Sequence, residues 1–157
     1  MSAAELRLKI ELIPRPLWGR NLRLSDRPQW RVLRKKLAGD SEPGCAICGK
    51  PEGQLQGHEE WEYIERKKSG IARLRGVNLV CQDCHSIHHI GRTQRLLLGQ
   101  GETGRIEWTR LIAHFLRVNQ CDGAAWAQHS RQAKADWERR SKIINWTVDF
   151  GVWGLKT

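Results

Sequence analysis

The sequence predicts an α+β protein: an antiparallel strand pair and a following helix stapled by a four-cysteine zinc site, with additional helices and a small sheet formed from the two termini. Three observations carry this reading. Two Cys-x-x-Cys pairs, Cys45/Cys48 and Cys81/Cys84, each offer two thiolates on one tight turn, and together they make a tetrahedral sulfur site suited to Zn²⁺. The 32 residues between the pairs hold two short β-leaning segments, Leu55 to Ile64 and Ile71 to Val80, joined by the charged loop Glu65 to Gly70. Beyond the second pair, apolar residues recur at helical spacing.

At the N-terminus, Leu6, Leu8, Ile10 and Leu12 alternate with Arg7, Lys9 and Glu11, the period of a half-buried strand that Pro14 and Pro16 then end. Ser25-Asp26-Arg27-Pro28 reads as a helix start, with Trp30, Leu33 and Leu37 on one face and Arg27, Arg31, Arg34, Lys35 and Lys36 around the rest. Gly39 and residues 40 to 44 stop it before the first cysteine pair. A helix starting near Gln82 carries a histidine cluster, Cys84-His85-Ser86-Ile87-His88-His89. Past Gly99, Trp108, Leu111, Ile112, Phe115 and Leu116 form an amphipathic stripe read as core. A further helix from about Asp122 to Ser141 has the seam Trp126, Ser130, Ala133 and Trp137, and the tail Asn145 to Trp153 returns to a strand pattern expected to pair with the N-terminal strand. All 157 residues fit a single domain in three stretches: 1–44, 45–92 and 93–157.

Lys plus Arg is 27 against 17 Asp plus Glu, a formal charge of +10, which favours a polyanionic partner because each phosphate neutralised releases condensed counterions. No signal peptide or membrane span is readable, since charges interrupt every N-terminal apolar run. Four paired thiols plus a lone Cys121 fit zinc in a reducing compartment better than a disulfide framework, so the expected location is cytoplasmic.

On a helix, His85 and His89 are four residues apart and share a face, as two imidazoles gripping one metal ion must. His88 lies about 100° around the helix and falls outside that grip. Two other readings stay open: one histidine replaces a cysteine at the zinc, or all three contact phosphate. His58, on a strand inside the zinc-closed loop, is the remaining candidate, since phosphodiester hydrolysis needs a base for water and a metal for the phosphate. Its neighbour Glu59 should point to the opposite face of a regular strand.

Cys-x-x-Cys, a strand with His, then Cys-x-x-Cys-His-x-x-x-His resembles the HNH endonuclease family over about residues 45 to 92. The flanks Leu12-Ile13-Pro14, Leu17 to Arg23 and His58-Glu59-x-Trp61-Glu62-Tyr63 are similar to a branch of small bacterial HNH proteins. The resemblance implies a ββα-metal core, with His58 as general base, His85 and His89 as ligands of a catalytic divalent ion (Mg²⁺, Mn²⁺, Ni²⁺ or Zn²⁺), and Cys45, Cys48, Cys81 and Cys84 on structural Zn²⁺. Two positions depart from the family. Gly57 stands where an acidic or histidine ligand is common, so either Glu59 substitutes, or His58 is the ligand and Glu59 the base, or water completes the shell. The family's central Asn falls at Gly76, and Asn78 is out of register and should point elsewhere.

The expected function is hydrolysis of nucleic-acid phosphodiesters, DNA in preference to RNA. Arg66, Lys67, Lys68, Arg73, Arg75, Arg92 and Arg95 are the expected backbone contacts, which set position rather than sequence. The competing expectation is a zinc-stabilised nucleic-acid-binding module without cleavage, or a subunit of a larger nucleoprotein complex that uses some of the eight tryptophans at an interface.

Overall fold

The structure, a computed structural model, describes residues 6–40, 42–51 and 53–154. In chain order these form helices α1 (Leu22–Ser25) and α2 (Arg27–Asp40), strands β1 (Gln56–Glu65) and β2 (Ser69–Val80), helices α3 (Gln82–His88), α4 (Ile90–Leu98), α5 (Gly101–Asn119) and α6 (Gly123–Ser141), and strand β3 (Asn145–Asp149). None of these helices is long and apolar enough to cross a membrane.

The expected hairpin is present. β1 and β2 pair antiparallel with His58 opposite Asn78 and Glu59 opposite Val77, and the register shifts between Glu60 and Trp61. Alternation along β1 divides the hairpin into two faces. Val77 and Leu74 pack with Leu22, Trp30 and Leu33 of α1 and α2, while Val80 joins Cys81, Cys84 and Ile87 in the larger core. Of the predicted α2 face, Trp30 and Leu33 are buried and Leu37 packs half-buried beside them. Asp26 caps this helix, its carboxylate accepting from the Gln29 amide at 3.1 Å.

α3 begins at Gln82, as the cysteine turn dictates. It ends at His89, whose φ of −101° and ψ of 44° break the helix before α4. The Thr93 hydroxyl donates to the Ser86 carbonyl at 2.8 Å, a partner for that group at the break, and lies 3.2 Å from the His89 carbonyl, which already accepts from the Thr93 amide at 3.1 Å. On α5 most of the predicted stripe is core: Leu111 and Phe115 are buried, with Trp108 and Leu116 packed beside them, while Ile112 is half-buried outside that cluster. α6 starts on Asp122, which accepts from the Ala125 amide at 3.0 Å, and it lays Trp126 and Ala133 on the same core.

The terminal sheet is the main correction. β3 pairs with β2, parallel, Ser69 opposite Asn145 through Arg73 opposite Asp149, so the sheet order is β1-β2-β3. Gly70 makes this possible, because any side chain there would run into the ring of Trp146. The N-terminal segment keeps its predicted alternation, with Leu6, Leu8 and Ile10 buried, yet lies in no sheet. Side chains take the place of a ladder partner. The Asn119 carbonyl accepts from the Arg7 and Leu8 amides at 2.9 Å each, and its amide donates to the Leu8 carbonyl at 3.0 Å. His129 Nε2 accepts from the Ile10 amide at 2.9 Å, and the Glu11 amide donates to the His88 carbonyl at 2.9 Å. Buried backbone groups need partners, and here helices α3, α5 and α6 provide them.

Candidate metal centres at the hairpin–helix junction

The first knuckle and the turn from β2 into α3 bring Cys45, Cys48, Cys81 and Cys84 together, their sulfurs all within 4.8 Å of one another. All four are free thiols. The Cys48 and Cys81 sulfurs are 3.7 Å apart. A tetrahedral zinc with bonds of ~2.3 Å has S···S edges of about 3.8 Å, so the residues fit the ion. The Ile47 amide donates to the Cys45 sulfur at 3.4 Å. A hydrogen bond from the Cys84 thiol brings Cys45 down to about 3, while that same contact, with burial, pushes Cys84 up. Four sulfurs this close could hold Zn²⁺, whose charge would stabilise them together as thiolates.

His114 of α5 extends this centre. It is buried, with Nε2 3.3 Å from the Cys84 sulfur, and the Arg117 guanidinium lies 3.2 Å from its Nδ1. Guanidinium only donates, so Nδ1 accepts and the ring proton sits on Nε2, facing the sulfur. Nothing in the sequence pattern marked His114 apart from the core stripe it shares with Leu111 and Phe115.

The second centre lies where α3 passes β1. His85 and His89 have ring centroids 4.7 Å apart, and His58 lies 6.0 Å and 5.5 Å from them. One ligand atom from each of the three falls within 4.8 Å of the others. Burial, with positive charge from neighbouring groups, lowers His85 to about 4 and His89 to about 3, so at neutral pH both offer lone pairs. His88 is outside this trio, as its helical angle predicts. It stacks on His58 at 3.9 Å with ring planes 5° apart, and its Nδ1 donates to the Lys9 carbonyl at 2.8 Å.

The N-terminal segment adds a residue that sequence reading placed on an exposed strand face. A Glu11 carboxylate oxygen lies 2.5 Å from His58 Nε2. Burial is the largest influence on the Glu11 carboxyl and raises it, but the hydrogen bond to His58 together with the charges of His58, His88 and His89 more than offsets it and leaves Glu11 below its ordinary value. The other nitrogen of His58, Nδ1, is buried and has no protein partner. A buried imidazole nitrogen without a protein partner, on a ring 6.0 Å and 5.5 Å from those of His85 and His89, is of a kind that could hold a metal ion. The chain matches no known family model, curated protein or solved structure.

Glu59 is not among these residues. It points to the opposite face, as strand alternation predicts, and accepts from the Leu22 amide at 2.7 Å and the Arg23 amide at 3.4 Å. Burial raises its carboxyl although those amides act against it. Gly57 faces the same side, where a Cβ would lie 2.5 Å from the Trp30 indole. Asn78, expected to point elsewhere, is paired opposite His58 and so shares its face of the hairpin, where it donates to Glu60 at 2.6 Å.

The basic residues divide. Arg92 and Arg23 lie near enough to His85 to lower it further. Arg95 is exposed on α4. Arg66, Lys67 and Lys68 form the exposed hairpin tip, eight or more residues from His58, or roughly 26 Å along an extended strand. Arg73 is paired with Asp149 at 3.1 Å, and Arg75 approaches Glu62 at 3.6 Å.

Proposed function

We propose that this chain is a metal-dependent nuclease of the HNH type, cutting phosphodiester bonds in nucleic acid, DNA in preference to RNA. The observation that carries the reading is the convergence of His58, His85 and His89 on one point beside a four-cysteine centre, in a hairpin-then-helix frame. His85 on α3 and His89 at the break that follows it hold the ion. Of the roles open to His58, ligand is better supported than general base, because its free nitrogen is closed off from solvent. When bound, a divalent ion supplies Lewis acidity toward a phosphoryl oxygen. Three imidazoles and no carboxylate favour Zn²⁺ or Ni²⁺ over Mg²⁺.

The protein's own residues then do the positioning. Arg92 and Arg95 on α4, with Arg23 on α1, hold phosphates next to the histidines. Arg66, Lys67 and Lys68 reach phosphates farther along the backbone, and Arg73 and Arg75 contribute less because acids already accompany them. Glu59 serves by fixing α1, and through it Arg23.

The test is a metal inventory combined with plasmid and RNA cleavage in Mg²⁺, Mn²⁺, Ni²⁺ and Zn²⁺. One zinc per chain should resist dialysis, and a second ion should bind wild type but not His85→Ala or His89→Ala. Cleavage should fall at least a hundredfold in those variants and in His58→Ala, on the scale of losing a group essential to the chemistry. A wild type that binds no second ion and cuts neither nucleic acid leaves the zinc-stabilised binding module, alone or within a nucleoprotein complex, as the correct description.

A further inference from the structure

The geometry points to Glu11 as a positioning residue that fixes which nitrogen of His58 carries the proton, leaving Nδ1 as a bare lone pair for the ion; this rests on the metal-centre reading above. Glu11 belongs to none of the strands or helices that build the site. It arrives on the N-terminal segment, whose backbone is tied down by Asn119, His129 and His88, so the reach of its carboxylate is set by the core.

An ionised carboxylate only accepts, so at 2.5 Å from Nε2 it requires a proton on that nitrogen. A proton on Nδ1 instead would be a buried donor with no acceptor, since that atom has no protein partner. The ring has no freedom to avoid this choice. His88 lies flat against it at 3.9 Å, and His88 is itself locked by its bond to the Lys9 carbonyl, two residues before Glu11. One short stretch of chain thus sets both stacked rings, one through a backbone carbonyl and the other through a carboxylate. Carboxylates placed behind metal-binding histidines fix the tautomer and raise ligand basicity, and losing one costs about 10–100-fold in metal affinity.

The test uses the full chain with zinc in the cysteine site and no ion at the histidines. Two-bond ¹H–¹⁵N correlations at pH 7.5 should show His58 protonated on Nε2. In Glu11→Gln the amide can donate or accept, so His58 should become a mixture of tautomers, and calorimetric Ni²⁺ affinity should fall about 10–100-fold. Glu11→Ala should do the same, with zinc content and circular dichroism confirming the fold; if it does not fold, the isosteric Gln variant decides. His58 found protonated on Nδ1 in wild type, or Ni²⁺ affinity within twofold of wild type in the folded variants, overturns the assignment. A wild type that binds no Ni²⁺ at the histidines sinks the metal-centre reading instead, while the tautomer of His58 still tests Glu11.

Discussion

Position 57 lacks a side chain because Trp30 stands where one would begin, 2.5 Å from the site of a Cβ. Gly57→Ala must push that indole out of its cluster with Leu22, Leu33 and Val77, and overpacking of this kind costs about 1–3 kcal/mol. Thermal unfolding should register the loss, with zinc retained in the folded fraction. The missing ligand was legible in the sequence, but its cause was not, because the obstacle comes from a helix 27 residues earlier. Glu59 illustrates the same boundary. Strand alternation correctly sent it away from His58, but only the fold reveals that it receives the first amides of α1. Glu59→Gln should therefore leave Ni²⁺ affinity at the histidines within twofold while loosening α1, seen as faster amide exchange at Leu22. At the cysteine centre, His114→Ala removes a donor to the Cys84 sulfur, and zinc loss to a chelator should become about 10–100-fold easier.

Among the elements, the N-terminal segment departs furthest from expectation. Its period of two was a sound guide to burial and a poor guide to pairing, since alternation says which side chains go inward but nothing about what satisfies the backbone. Asn119 and His129 carry that information, and neither looks unusual in a helical stretch. Asn119→Ala leaves the Arg7 and Leu8 amides and the Leu8 carbonyl without partners, and should destabilise the protein by about 2–4 kcal/mol in denaturant titrations. His129 gives the segment a pH dependence. Burial, with the nearby Lys9 charge, lowers its pKa, and its Nε2 must stay unprotonated to accept from Ile10. A depressed pKa means the unfolded chain takes up the proton first, so stability is complete above about 6.5, the unfolded value, and is lost as pH falls from there toward the folded pKa. Between pH 7.5 and 5, wild type should lose more stability than His129→Gln, whose amide can accept the same bond without titrating.

Across the molecule, charge is unevenly cancelled. Asp83 and Glu107 hold Arg110, and Glu65 holds Arg139 and Arg140, whereas the exposed basic residues of α2, the hairpin tip and α4 keep much of the +10 excess. Binding to duplex DNA should accordingly weaken steeply with salt, and Arg92→Ala should reduce the log–log slope by about 0.9, the value of one phosphate contact. Equal slopes for wild type and variant would remove Arg92 from the contact set. Chelating the zinc should separate the two cysteine knuckles and unfold the hairpin–helix junction with them, because metal affinity and folding are one free energy in such a site. The architecture at this scale was largely legible: paired cysteines announced the staple, and periodicity announced the helices. What stayed hidden was the convergence of distant positions, as when Glu11 meets a histidine 47 residues on.

The tether of the N-terminal segment to Asn119 and His129 also sets a schedule for synthesis. The cysteine staple and the three histidines are all translated by residue 89, but the anchors that hold Glu11 against His58 lie on α5 and α6, 30 to 40 residues later. The four cysteines and three histidines thus precede in the chain the residues that hold the N-terminal segment in place. The contacts that set Glu11 against His58 are therefore complete only once α5 and α6 have packed.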